Sequence, residues 1–134
     1  MIYSLFTDGG SRGNPGPAAI GGRILDSDSN EICVFSESIG VSTNNIAEYS
    51  ALIKGLNMAL KYNISSITCY LDSELVVKQL NGIYKVKDPN MKILSDQVNL
   101  IVKKFQKVQI RHILRNENKI ADKLVNEALD RAGF

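Results

Sequence analysis

The stretch IYSLFTDGGSRGNPGP, Ile2 to Pro17, passes from a β-rich run into a segment crowded with glycine and proline, with an aspartate at the changeover. Ile2 to Thr7 predicts a short strand that ends at Asp8, and the Gly-Pro segment after it predicts a loop. A later stretch has the same arrangement. Ile67 to Leu71 predicts a strand ending at Asp72, and Ser73 to Leu80 predicts the helix that follows. If these two strands are parallel neighbours, both acids arrive at their carboxyl ends, where open α/β sheets bind ligands. The helical segment between them makes a parallel crossover feasible.

The elements between and beyond follow from periodicity. Ala18 to Leu25 and Glu31 to Ile39 are apolar runs joined by Asp-Ser-Asp-Ser-Asn, which predicts an antiparallel hairpin and makes the first half of the sheet a three-stranded meander. Thr43, Asn44 and Asn45 are N-cap types ahead of a long helix ending near Tyr62. Ile46, Tyr49, Ile53, Leu56 and Leu60 form its apolar stripe, and Ser50, Lys54, Asn57 and Lys61 its wet face. Glu48 heads a third row, Glu48, Leu52, Gly55 and Ala59, whose other members are apolar or small. An acid in a first helical turn gains roughly 0.3 to 1 kcal/mol from the helix dipole, which explains a surface Glu better than one continuing an apolar row. Asn81 to Pro89 reads as a loop and Met91 to Phe105 as a helix. Val108 to Leu114 reads as a fifth strand, and the last helix carries Asp122 near its start. Asp72 as a helix cap and Asp122 as a dipole-stabilised surface acid are ordinary local explanations.

The 134 residues are 44% hydrophobic and 22% charged, which fits one compact domain spanning 1–134. No apolar run approaches the roughly 18 residues a membrane helix needs, and MIYSLFTDGG lacks the order of a signal peptide. A soluble, cytoplasmic, monomeric protein without membrane association is the expectation. Cys33 and Cys69 lie in apolar runs and read as structural thiols. Net charge is only +2, but residues 78 to 119 hold ten bases against three acids, a local +7, and the remainder carries −5. An acidic site bordered by a basic segment suits a polyanion held by its phosphates, while a solvated basic helix face is the plainer account.

Asp8, Glu48, Asp72 and Asp122 are far apart in sequence, yet three stand at element boundaries and one heads a buried row. If they converge, their mutual repulsion of several kcal/mol (order of magnitude) is relieved by a bound cation. Oxygen-only donors suit Mg²⁺ or Mn²⁺ rather than zinc, and the chain has one His. Two such ions roughly 3.5 to 4 Å apart hydrolyse a phosphodiester without a protein nucleophile.

TDGGSRGNPGPAAIG (Thr7 to Gly21), TNNIAEYSALIKGL (Thr43 to Leu56), YLDSELVV (Tyr70 to Val77) and RNENKIADKLVNEA (Arg115 to Ala128) together resemble the four signature blocks of type 1 ribonuclease H, in order and across nearly the whole chain. The resemblance implies a ribonuclease H-like fold, a five-stranded mixed sheet flanked by helices in the order β-β-β-α-β-α-α-β-α. It also implies a metal-dependent endonuclease that cuts the RNA strand of RNA·DNA hybrids and leaves 3′-hydroxyl and 5′-phosphate ends. Asp8, Glu48, Asp72 and Asp122 match the metal-binding set for two Mg²⁺ or Mn²⁺ ions, with Asp8 expected to bridge them. Asn14 matches a residue that contacts the RNA strand near its 2′-hydroxyls, a role shared by the backbone of Gly9, Gly10 and Ser11. Asn44 and Asn45 match contacts to the DNA strand, and Thr43 matches part of a DNA phosphate pocket.

Three departures qualify this. Val41 stands where the family often has an arginine of the DNA phosphate pocket. The basic helix that some members insert as a substrate handle is replaced by the loop Asn81 to Pro89 with Lys85 and Lys87, and no extra N-terminal hybrid-binding domain is expected. Many members also place a catalytic-assisting His just before the last helix. Here His112 falls in the strand run IRHIL and Arg115 occupies the turn, so gapless alignment favours His112 and strand geometry favours Arg115. A catalytically silent nucleic-acid-binding module and another metal-dependent phosphoesterase, such as a junction resolvase or small phosphatase, are the alternatives. The intact carboxylates speak against the first, and the Asn14, Thr43, Asn44 and Asn45 set against the second.

Overall fold

A computed structural model describes all residues from Met1 to Phe134. Strands β1 (Tyr3–Ser11), β2 (Gly16–Leu25) and β3 (Glu31–Ser42) form an antiparallel meander, followed by helix α1 (Asn44–Lys61). Strand β4 (Ser66–Leu71), helices α2 (Glu74–Leu80) and α3 (Pro89–Val102), strand β5 (Lys107–His112), a 3-10 turn (Arg115–Glu117) and helix α4 (Lys119–Arg131) complete the chain. The five strands make one sheet in the order β3-β2-β1-β4-β5. β4 pairs parallel to both β1 and β5. This is the mixed sheet and element order expected from sequence. No helix is long and apolar enough to cross a membrane.

One boundary differs from expectation in a way that matters. β1 does not stop at Asp8; it continues as far as Ser11, with Asp8 opposite Gly21, Gly9 opposite Ile20, Gly10 opposite Ala19 and Ser11 opposite Ala18. The Gly-Gly-Ser segment keeps extended backbone because β2 begins early, at Gly16, and offers it a partner, with the Arg12 N–H bonded to the Pro17 carbonyl at 2.8 Å. Glycine weakens a strand that must stand alone, yet it suits one approached closely by other backbone. A Cβ on Gly9 would lie 2.2 Å from the carbonyl of Ala47 in α1. Towards β4, however, the parallel pairing ends at Phe6 opposite Tyr70. Asp8 therefore still emerges at the carboxyl end of the β1–β4 pair.

α1 buries its Glu48, Leu52, Gly55 and Ala59 row along with Tyr49 and Leu56. Gly55 lets Leu5 of β1 nest against the helix, since a Cβ there would sit 2.7 Å from the Leu5 side chain. Leu5, Leu52, Leu56, Ile67, Cys69 and Leu71 belong to one continuous core, joined by Val98 and Met91 from α3. Successive residues of β2 point to opposite faces, and they divide accordingly. Ile20 packs with Ala51 of α1, whereas Ala19 packs with Val125, Ala128 and Leu129 of α4. α1 and α4 thus cover opposite faces of the sheet. Burial pushes the Cys69 thiol up to about 12, so it behaves as an inert core group, as its apolar setting in the sequence suggests.

Candidate active site

Three elements carry the carboxylates to one place. β1 brings Asp8, the second turn of α1 brings Glu48, and Asp72 follows the last residue of β4 directly. One carboxylate oxygen from each of Asp8, Glu48 and Asp72 lies within 4.8 Å of the others. Asp8 and Glu48 are 7% and 6% exposed. Asp122, on the first turn of α4, lines the same cleft of about 440 Å³ but lies outside the tight trio. Its side chain is 35% exposed, with an Arg115 guanidinium nitrogen at 3.7 Å.

Two of the acids are oriented by specific partners. Glu48 Oε1 accepts the Gly9 N–H at 3.1 Å, a contact available because Gly9 lets β1 press against α1. The other oxygen, Oε2, is buried with no hydrogen-bond partner. Asp72 does not cap α2. Ser73 does, its Oγ accepting the Val76 N–H at 3.3 Å, which leaves the Asp72 carboxylate free for the cleft. Asp72 Oδ2 instead accepts from Asn118 Nδ2 at 3.1 Å, and the same amide donates to the Thr7 carbonyl at 2.9 Å. Asn118 is 2% exposed and stands at the N-cap of α4 without capping it through its side chain.

The electrostatics follow from this packing. Burial is the main cause that pushes Asp8 up to about 7; the adjoining Glu48 carboxyl opposes it when it keeps the proton, and the charges of Asp72 and Asp122 add to it. Glu48 is pushed well above the ordinary carboxylate range, first by burial, then by the adjoining Asp8 carboxylate and the charge of Asp72. Such a cluster is costly when ionised unless a cation shares it. Three oxygen donors at close range, one with an orphaned buried lone pair, fit a hard divalent cation of the Mg²⁺ or Mn²⁺ type.

Around the acids, Gly9, Gly10, Ser11, Asn44, Asn45 and Arg115 line the cleft. Asn14, Thr43 and His112 do not. Asn14 Oδ1 accepts the Asn44 N–H at 3.0 Å, and Asn44 Oδ1 accepts the Ser11 N–H at 2.8 Å, so the pair ties the end of β1 to the start of α1. Thr43 caps α1 by accepting the Ile46 N–H at 3.2 Å. His112 is exposed at the end of β5, in register with Leu71; the structure brings Arg115 to the cleft and leaves His112 outside it. Sequence reasoning missed Arg12 and Asn126 on the cleft wall and Asn118 behind Asp72. Asn118 precedes an amphipathic run and so reads as an N-cap, and only the fold reveals that its amide serves Asp72.

A family model described as reverse transcriptase-like matches residues 6–128. Ribonuclease HI of Halobacterium salinarum is 40% identical over 98% of this chain and 65% of its own length. Mycobacterial relatives, among them the bifunctional protein Rv2228c of Mycobacterium tuberculosis, match at 40% identity over the same share of this chain, which spans 36% of their length. Among solved structures, RNase H1 from Halobacterium salinarum superposes with a TM-score of 0.95 at 38% identity, covering 98% of this chain and 99% of that one. LC11-RNase H1, from compost, in complex with an RNA/DNA hybrid, superposes at 0.92 with 41% identity over 97% and 98%. Sheet order, carboxylate trio and near end-to-end similarity agree, and the chain belongs to the type 1 ribonuclease H family.

Proposed function

We propose that this chain is an endonuclease that hydrolyses the RNA strand of RNA·DNA hybrids with two Mg²⁺ or Mn²⁺ ions, leaving 3′-hydroxyl and 5′-phosphate ends. The observation that carries it is the buried trio Asp8, Glu48 and Asp72 with Glu48 Oε2 unpartnered. That is an expensive arrangement for an apo-protein and a suitable one for a cation cradle. The hybrid-bound relative at 41% identity supports the substrate class. When bound, the ions supply water activation and stabilisation of the leaving oxygen.

The residues of the chain then have distinct tasks. Asp8, Glu48, Asp72 and Asp122 are the oxygen donors, and Asn118 fixes the orientation of Asp72 by holding one of its oxygens. The backbone of Gly9, Gly10 and Ser11 approaches the RNA strand, where recognition of the 2′-hydroxyl separates RNA from DNA. Asn44 and Asn45 flank the cleft from α1 and bind the DNA strand. Asn14 holds this recognition surface together through its bond to Asn44. With Val41 largely exposed where an arginine would serve a DNA phosphate, the Thr43 hydroxyl is left to make that contact, and the exposed Lys85 and Lys87 in the loop after α2 add general attraction for the polyanion. Arg115 is 84% exposed beside Asp122. Guanidinium does not give up its proton at ordinary pH, so its role is electrostatic, neutralising phosphate charge as product leaves.

Side-by-side assays on a hybrid, double-stranded RNA, branched DNA and a phosphomonoester test this reading. Cation-dependent cutting confined to the RNA of the hybrid is expected. A hybrid bound but uncut in Mn²⁺ would make the chain a binding module, and preferential cutting of branched DNA or the monoester would reassign it.

A further inference from the structure

We infer that Arg12 grips a phosphate of the RNA strand next to the scissile one, with Asp130 holding the guanidinium ready; this rests on the hybrid reading above. Only two bases line the acidic cleft, Arg12 and Arg115. Arg12 is fixed at its backbone, where its N–H bonds the Pro17 carbonyl. Its guanidinium reaches α4 through Nη2 alone, at 2.8 Å from Asp130 Oδ1 and 3.5 Å from Asn126 Oδ1. Nε and Nη1 make no hydrogen bond, so much of a five-donor fork stays available. Both partners of the ion pair are exposed, and an exposed pair adds little to stability. Its better use is to preset a long side chain, which lowers the ordering cost when an anion arrives.

The position selects the anion. Arg12 immediately follows Ser11, the end of the strand that also carries Asp8, four residues and roughly 13 Å of extended chain away. That separation suits a neighbouring phosphate rather than the one attacked. The sequence showed a base at this point inside a Gly-Pro segment, but only the fold sets it on the wall of the acidic cleft.

The test combines hybrid binding by fluorescence anisotropy in EDTA across a KCl series with steady-state cleavage in Mn²⁺, for the parent chain, Arg12→Gln, Arg12→Lys and Asp130→Asn. Arg12→Gln should weaken binding and raise KM about five- to tenfold, affect kcat far less, and reduce the slope of log K against log[salt] by about 0.7 to 0.9, the loss of one phosphate contact. Arg12→Lys should keep the slope. Asp130→Asn, which loses the holder but keeps the charge of Arg12, should retain the parent slope and weaken binding far less than Arg12→Gln. An unchanged slope in Arg12→Gln, or weakened binding in Asp130→Asn to the same degree, would overturn the inference and make the pair a structural tie. A parent that binds hybrid with this salt behaviour but cuts no RNA would overturn the functional reading while leaving the Arg12 contact standing.

Discussion

The two ends of the cleft are built in opposite ways. At one end Asp8 and Glu48 are buried where β1 presses on α1, so closely that Gly9 has no room for a side chain. At the other, Asp122 and Arg115 sit on the first turn of α4 and the 3-10 turn before it, with Arg115 almost wholly in solvent. The first end has its geometry dictated by the sheet and its charges raised in energy by burial. The second is adjustable and screened by water. Tight placement of charge has a stability cost, and that cost falls on the end where position matters most.

The largest expected effect comes from emptying the buried end. Asp8→Asn should lower RNA-strand hydrolysis by at least about a thousandfold if the carboxylates hold the cations as proposed, since one donor is lost. The same change should make the cation-free fold more stable, by on the order of 2 kcal/mol at pH 8, because a carboxylate with a raised pKa destabilises the folded state once ionised. Urea unfolding in EDTA checks the sign. A destabilised Asp8→Asn would mean that the buried end is not under electrostatic stress.

Asn118→Ala probes the link between the ends, since Asn118 lies at the start of α4 and holds Asp72. Loss of a group that orients a ligand should reduce kcat/KM or cation affinity about tenfold or more. Stability should drop by about 1 kcal/mol through the lost bond to the Thr7 carbonyl. Equal stability loss with full activity would make Asn118 purely structural.

The pH dependence of the cation-free protein should also differ between the two ends. Asp8 titrates near 7 in the folded state against an ordinary value of 3.8, so over this range the folded chain binds more protons than the unfolded one. Its contribution makes stability fall as pH rises from about 4 to about 7, and level off above. Asp8→Asn should flatten that part of the urea-midpoint profile, while Asp122→Asn should change it much less. The smallest effects belong to the open end. Arg115→Ala should lower kcat less than tenfold, and His112→Ala should leave cleavage within about twofold, since His112 is outside the cleft. A large loss in His112→Ala would restore that residue to the machinery.

The contrast between the ends also explains what sequence alone revealed. Glu48 was legible because a charge heading the Leu52, Gly55 and Ala59 row has no reason to be buried except its chemistry. Asp72 was legible once its strand was paired with that of Asp8, although the cap that made it look ordinary belongs to Ser73. The extent of β1 was not legible. Gly9 and Gly10 look like loop residues locally, and what keeps them extended is a partner strand and a helix that are distant in sequence. Asn118 and Arg12 were hidden for a related reason. Each has a plain local reading, a cap and a loop base, and acquires its role from one long-range contact, to Asp72 and to Asp130. The choice between His112 and Arg115 turned on where β5 ends, which periodicity defines only to within a residue or two.

If divalent cations complete the site, they offset the burial of Asp8 and Glu48. Thermal unfolding with increasing Mn²⁺ tests it directly, in the parent chain and in Asp8→Asn. Mn²⁺ should raise the Tm of the parent in a saturable way, as binding to the folded state must, and barely move that of Asp8→Asn. A parent whose Tm does not respond to millimolar Mn²⁺, or an equal response in Asp8→Asn, would contradict it.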